Sequence, residues 1–160
     1  MRVGRAFRIP GWAGPLARRQ AAPRVLLRWA LAAFLAVAGA GHFLRPEELL
    51  AQVPPYLPAP ELLVAVSGVA ELGLAVALVV LPRHRRTVGV LVALFFLAVL
   101  PGNVAQYTEA RDAFGLDSDA ARLTRLALHP LLWLWALVAG DLWPRPRMQS
   151  VPRQVKRRGS

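Results

Sequence analysis

The 160-residue chain contains no cysteine. Disulfides, thiol relays, thiolate metal sites and cysteine-held iron–sulfur clusters are therefore excluded, and any redox role needs a bound cofactor or a partner protein. Acidic residues are scarce as well: 9 Asp and Glu stand against 20 Lys and Arg, giving a formal charge of +11. Walker loops, dinucleotide-type glycine motifs, HExxH pairs and nucleophile elbows are all missing, so no motif points to an enzyme and none is expected. Two histidines and one glutamate within apolar runs have the chemistry of metal ligands. They come from separate runs with no local ligand spacing, and no metal site is expected from them.

Apolar sequence fills most of the remainder. Val25 to Leu44, Leu62 to Leu81 and Val88 to Ala105 are mainly Leu, Val, Ala and Phe, and Leu126 to Gly140 reaches spanning length if Arg122 and Arg125 snorkel at one end. A membrane span needs roughly 20 apolar residues at about 1.5 Å rise each. The pattern predicts an all-α, polytopic membrane protein. We expect a four-transmembrane-helix bundle with spans near 25–44, 61–81, 87–107 and 122–142, together forming a membrane domain over 25–143.

The positive charge alternates with these stretches. Arg2, Arg5, Arg8, Arg18, Arg19, Arg24 and Arg28 flank the start of the first, Arg83, Arg85 and Arg86 separate the second and third, and Arg145, Arg147, Arg153, Lys156, Arg157 and Arg158 follow the fourth. Only Arg45, Arg111, Arg122 and Arg125 belong to the other side. Such alternation argues against nucleic acid as a partner and for the lipid bilayer. Positive segments stay cytoplasmic, which puts both termini and the 82–87 turn in the cytoplasm and the 45–60 and 107–121 loops outside a bacterial inner membrane. Ala38-Gly39-Ala40 resembles a signal-peptide cleavage site, but the run before it exceeds the usual h-region of about 7–15 residues, and an uncleaved first helix is expected.

Residues 1–24 and 144–160, with Pro, Gly and Arg and no apolar period, read as basic cytoplasmic tails, disordered or resting on anionic lipid. Near such a surface each Lys or Arg contributes about 1 kcal/mol. In the 45–60 loop, Pro46-Glu47-Glu48 predicts a helix start, because Pro suits the first turn and acids suit the positive end of the dipole. The following Pro54-Pro55-Tyr56-Leu57-Pro58-Ala59-Pro60 must be extended, since each Pro fixes its own φ and restricts the residue before it. A short interfacial helix followed by a Pro-rich strap, or simply a stiff connector, is expected there.

Ionisable side chains in hydrocarbon are costly and point to function by default. Glu71 lies midway along the second stretch, where burial disfavours a bare charge and a proton or a partner is required. Ser67, Gly68 and Ala75, one turn to either side, form a small-residue face that lets another helix approach. His42, Asn103 and His129 fall in the same half of their stretches. Glu71, His42, Asn103 and His129 therefore form the candidate intramembrane polar site, with interhelical hydrogen bonding, worth on the order of 0.6 kcal/mol per residue, as the alternative use. Pro101 and Pro130 are expected to loosen the third and fourth helices beside them.

Gly41-His42-Phe43, Val53-Pro54-Pro55-Tyr56-Leu57-Pro58, Ser67-Gly68-Val69-Ala70-Glu71, Leu81-Pro82-Arg83 and Leu100-Pro101-Gly102-Asn103 occur in that order. Together they make the chain, from about residue 28 to 140, similar to the DoxX-like family of small bacterial integral membrane proteins. The chain has Pro101-Gly102-Asn103 where that family often has Pro-Ala-Asn, and its acidic 109–119 insertion is longer. The resemblance implies a four-helix membrane bundle. It also implies a non-catalytic accessory subunit beside a membrane oxidoreductase; the set of Glu71, His42, Asn103 and His129 points alternatively to a small binding protein or transporter for an apolar or weakly acidic molecule such as a quinone.

The charge alternation makes a direct prediction: reporter fusions after Arg86 and at the C-terminus should report cytoplasm, and fusions near Pro58 and Ser118 the outer side. A cytoplasmic signal at Ser118 would remove the four-span arrangement.

Overall fold

A computed structural model describes residues 15–143, with side chains from Ala22 onward. The described chain is all-helical: α1 (Pro15–Leu44), α2 (Pro46–Leu50), α3 (Pro60–Val80), a 3-10 turn (Pro82–His84), α4 (Arg85–Thr108) and α5 (Asp119–Ala139). Three of these segments, Ala22–Leu44, Pro60–Val80 and Pro82–Thr108, are long and apolar enough to cross a membrane. The protein is a membrane protein by that measure, and large apolar side chains cover its outward faces, among them Leu26, Val37, Val69, Leu94 and Leu131. Such faces suit lipid, which removes the need to bury them.

Helix α1 begins at Pro15, so residues 15–24, assigned by composition to a disordered tail, are helical instead. Leu16 to Ala22 are good helix formers, and Pro23 costs the helix a single N–H. The rest of the basic N-tail and residues 144–160 lie outside the described residues. Pro101 and Pro130 likewise sit within continuous helices and do not interrupt them.

Helix α5 is not among the segments apolar enough to span. Ser118 caps it by accepting a hydrogen bond from the Ala121 amide at 3.3 Å, and Asp119, Arg122 and Arg125 fill its first two turns. Arg122 does not snorkel. It is 5 % exposed, bonded to Asp119 at 2.8 Å, to Asp112, and to the Asp117 carbonyl at 3.0 Å. A buried guanidinium needs such partners, and the acidic 112–119 stretch provides them.

Packing is closest between α1 and α3 and between α4 and α5, while α1 against α5 and α3 against α4 close the arrangement. The core of Leu31, Leu35, Leu78, Val92, Phe96 and Ala136 lies between them. At one end Asp141 joins three helices, accepting from Arg24 of α1 and from Arg85 of α4 at 3.1 Å. At the other end Arg111 donates to the carbonyls of Ala51 and Val53, both at 3.0 Å, and ties the 109–118 loop to the segment after α2.

Glycines set the two tight helix pairs. A Cβ built on Gly89 would fall 2.6 Å from Gly140 Cα, a backbone atom that cannot swing away. Gly89→Ala should therefore lower stability in detergent by about 1–3 kcal/mol, the usual range for overpacking. Gly73→Ala meets nothing within 4 Å and should stabilise α3 by roughly 0.5–1 kcal/mol. Equal unfolding midpoints for the two variants would refute this account of α4–α5 packing.

Candidate functional site

Helices α1 and α3 run antiparallel, and their contact is reciprocal. A Cβ on Gly39 would meet Glu71 Cβ at 3.0 Å, and one on Gly68 would meet His42 Cβ at 2.6 Å. Each glycine makes room for the ionisable residue of the opposite helix, so the two polar side chains lie side by side. His42 Nε2 is 3.4 Å from Glu71 Oε2, and both side chains are about one-tenth exposed. That separation is long, and the atoms are not aligned as a hydrogen bond, so Glu71 Oε2 lies beside the ring without a hydrogen bond. The other ring nitrogen of His42 is fixed. Nδ1 stands 2.7 Å from the Val64 carbonyl, which can only accept, and must therefore carry a proton.

The pair opens onto a cleft of about 210 Å³ at the α2 end of the helices. Its polar lining is His42, Gln52, Ser67, Glu71, Asn103 and Arg125, and Leu49, Leu57, Leu63 and Val99 contribute to apolar walls. Of the four residues singled out from the sequence, His42, Glu71 and Asn103 share this cleft. His129 does not line it. Its Nε2 is 2.7 Å from the Phe96 carbonyl, its ring packs edge-on against Phe96 at 6.2 Å, and it is buried between α4 and α5. Asn103 donates from Nδ2 to the Val99 carbonyl one turn back, at 3.2 Å. Gln52, buried in the turn after α2, donates to the Glu48 carbonyl at 3.0 Å.

Arg125, Gln52 and Ser67 are the polar members that sequence reasoning did not assign to a site; Ser67 reads along the chain only as part of a small-residue packing face. Arg125 reads along the chain as a flanking charge, and nothing in its spacing along the helix marks it for the cleft. Gln52 offered only its polarity beside a proline run. Among the described residues no group of His, Asp and Glu is arranged to hold a metal ion.

The site should respond as a coupled pair. His42→Leu leaves Glu71 buried beside no partner and should cost about 1–2 kcal/mol, between the membrane-bundle average and the penalty for an orphaned buried group. Glu71→Gln keeps shape and polarity and should cost less, roughly 0.6 kcal/mol. In a double-mutant cycle with Glu71→Leu, read by unfolding in detergent, the losses should fall short of additive. Strict additivity would show that the two residues do not interact.

No curated protein and no solved structure matches the chain. The family described as Domain of unknown function (DUF8561) matches residues 31–139, which takes in α1 from Leu31 onward, α2, α3, α4 and all of α5. The matched region contains every residue that lines the cleft. The chain belongs to the DUF8561 family.

Proposed function

We propose that the protein binds a small apolar or weakly acidic molecule, such as a quinone, in the cleft between its helices. The observation that carries this reading is the convergence of the His42–Glu71 pair and Asn103 on one cleft with apolar walls. A few placed polar groups in an apolar cavity are the usual composition of a small-molecule site, and ionisable side chains inside a membrane domain are retained at a cost. Quinone carbonyls accept hydrogen bonds. Asn103 and Gln52 each use one amide N–H within the protein and have a second to offer.

In this reading α5 is the fourth span, short in apolar length and completed by the ion-paired turn at Arg122. The segment after α2 acts as the strap over the helix ends. The charge alternation puts both termini in the cytoplasm and the cleft in the outer half of a bacterial inner membrane, with the basic tails on anionic lipid.

The resemblance to the DoxX-like family supports a second, compatible reading: a non-catalytic accessory subunit of a bacterial membrane redox system. Its specific support is that His42, Glu71 and Asn103 belong to the strings carrying the resemblance and also meet in the cleft. Purification in mild detergent, followed by mass spectrometry of bound lipids and proteins, tests both. A quinone or other lipid retained by the wild type and lost in Glu71→Gln is the expected result. A molecule missing from both would refute the binding reading, and recovery of no oxidoreductase subunit would refute the accessory reading.

A further inference from the structure

One charge in the cleft is left unbalanced by the described residues. Arg125 lines it from α5, half-buried, with no acid paired to its guanidinium. By contrast Arg24 and Arg85 share Asp141, Arg111 holds Glu109, and Arg122 holds Asp112 and Asp119. Arg28 also lacks an acid partner, but it lies nearer the other end of α1 and does not line the cleft. The guanidinium carbon of Arg125 sits 5.3 Å over the Phe114 ring. Such a cation–π contact returns about 0.5–2 kcal/mol, only part of the cost of a cation in low-dielectric surroundings.

The facing wall does not provide the missing anion. Its one acid, Glu71, faces His42 Nε2 at 3.4 Å and makes no ion pair with Arg125.

Size limits what enters. The cleft, at about 210 Å³, is smaller than the roughly 300 Å³ at which pockets begin to enclose whole drug-sized ligands. It takes a head group. A second cavity of about 250 Å³ adjoins it across the His42–Val64 hydrogen bond, and apart from His42 and Glu61 its lining is apolar: Phe43, Pro46, Leu50, Val64 and Ala65. Phe43, half exposed, lines that cavity with its ring edge against Gly68 of α3.

We propose that Arg125 determines specificity in the cleft and that the ligand is an amphiphile with an anionic carboxylate or phosphate head group. The planar guanidinium fork matches either oxyanion bidentately, Asn103 and Gln52 have amide N–H groups for the remaining oxygens, and the apolar chain leaves past His42 toward lipid. This rests on the reading of the cleft as a small-molecule site and names the class of molecule.

The test uses full-length protein in phosphatidylcholine nanodiscs, titrated calorimetrically with decanoate, decyl phosphate, decanol and inorganic phosphate against empty nanodiscs. Wild type should bind decanoate or decyl phosphate about tenfold or more tightly than decanol, the size of one charge-assisted hydrogen bond. Arg125→Gln should lose that preference and bind decanoate and decyl phosphate no more tightly than decanol. If Arg125→Gln does not fold, Arg125→Lys serves: a preference for the anions weaker than wild type's supports the proposal, and an unchanged one overturns it. Equal affinity for decanol and decanoate, or anion binding unaltered in Arg125→Gln, overturns the proposal and leaves the small-molecule reading intact. Inorganic phosphate bound as tightly as decyl phosphate overturns the amphiphile. Binding of none of the four overturns the proposal, and the quinone reading then stands or falls with the molecules that co-purify.

Discussion

The close crossing of α1 and α3 is the constraint from which the site follows. Two glycines, Gly39 and Gly68, remove the Cβ atoms that would hold the helices apart. The space is used by the ionisable residue on the facing helix, so one packing device brings the backbones together and places His42 against Glu71. Small residues at a crossing are the usual way for membrane helices to gain contact, since lipid competes with any larger apolar side chain. Here the same small residues determine where the polar groups meet, which couples the stability of the helix pair to the chemistry of the cleft.

The two ends of the molecule are held by charge, in different ways. At one end Asp141 accepts from arginines of α1 and α4, joining three helices around a single carboxylate. At the other, Arg111 and Arg122 each bind backbone carbonyls as well as acids, and they order the loop before α5 and the turn after α2. Phe114 belongs to that loop: its amide donates to Glu48 at 2.5 Å, and its ring carries Arg125. The loop is thus both a cap on the helix ends and a wall that sets the position of the unpaired cation. Exposed ion pairs contribute little, but buried guanidinium groups with several partners fix geometry strongly.

Histidine placement shows how context separates two similar residues. His42 and His129 are both within apolar helices and both bond a backbone carbonyl at 2.7 Å. His42 has its second nitrogen turned to Glu71 at a cleft, whereas His129 packs its ring on Phe96 within the α4–α5 interface. The first faces an ionisable partner at 3.4 Å. The second serves as an interhelical hydrogen bond, as Trp133 does with the Ala93 carbonyl one turn away along the same interface.

The membrane character, the helical class and the short α2 were legible along the chain, because apolar run length and proline position are local properties. Helix ends were legible less well: residues 15–24 read as disordered because they carry Pro and Arg without an apolar period, and Arg122 looked like a snorkelling flank because Asp112 and the Asp117 carbonyl come near it only once the loop before α5 folds back. What the sequence could not determine was which polar residues share a space. His42, Glu71 and Asn103 come from three helices, Gln52 from a turn and Arg125 from a helix start, so their meeting depends on crossing angle and register. Those were decided by tertiary packing: glycine-limited helix contacts rotated His129 into an interface and Arg125 into the cleft, a choice that no spacing along one helix can encode.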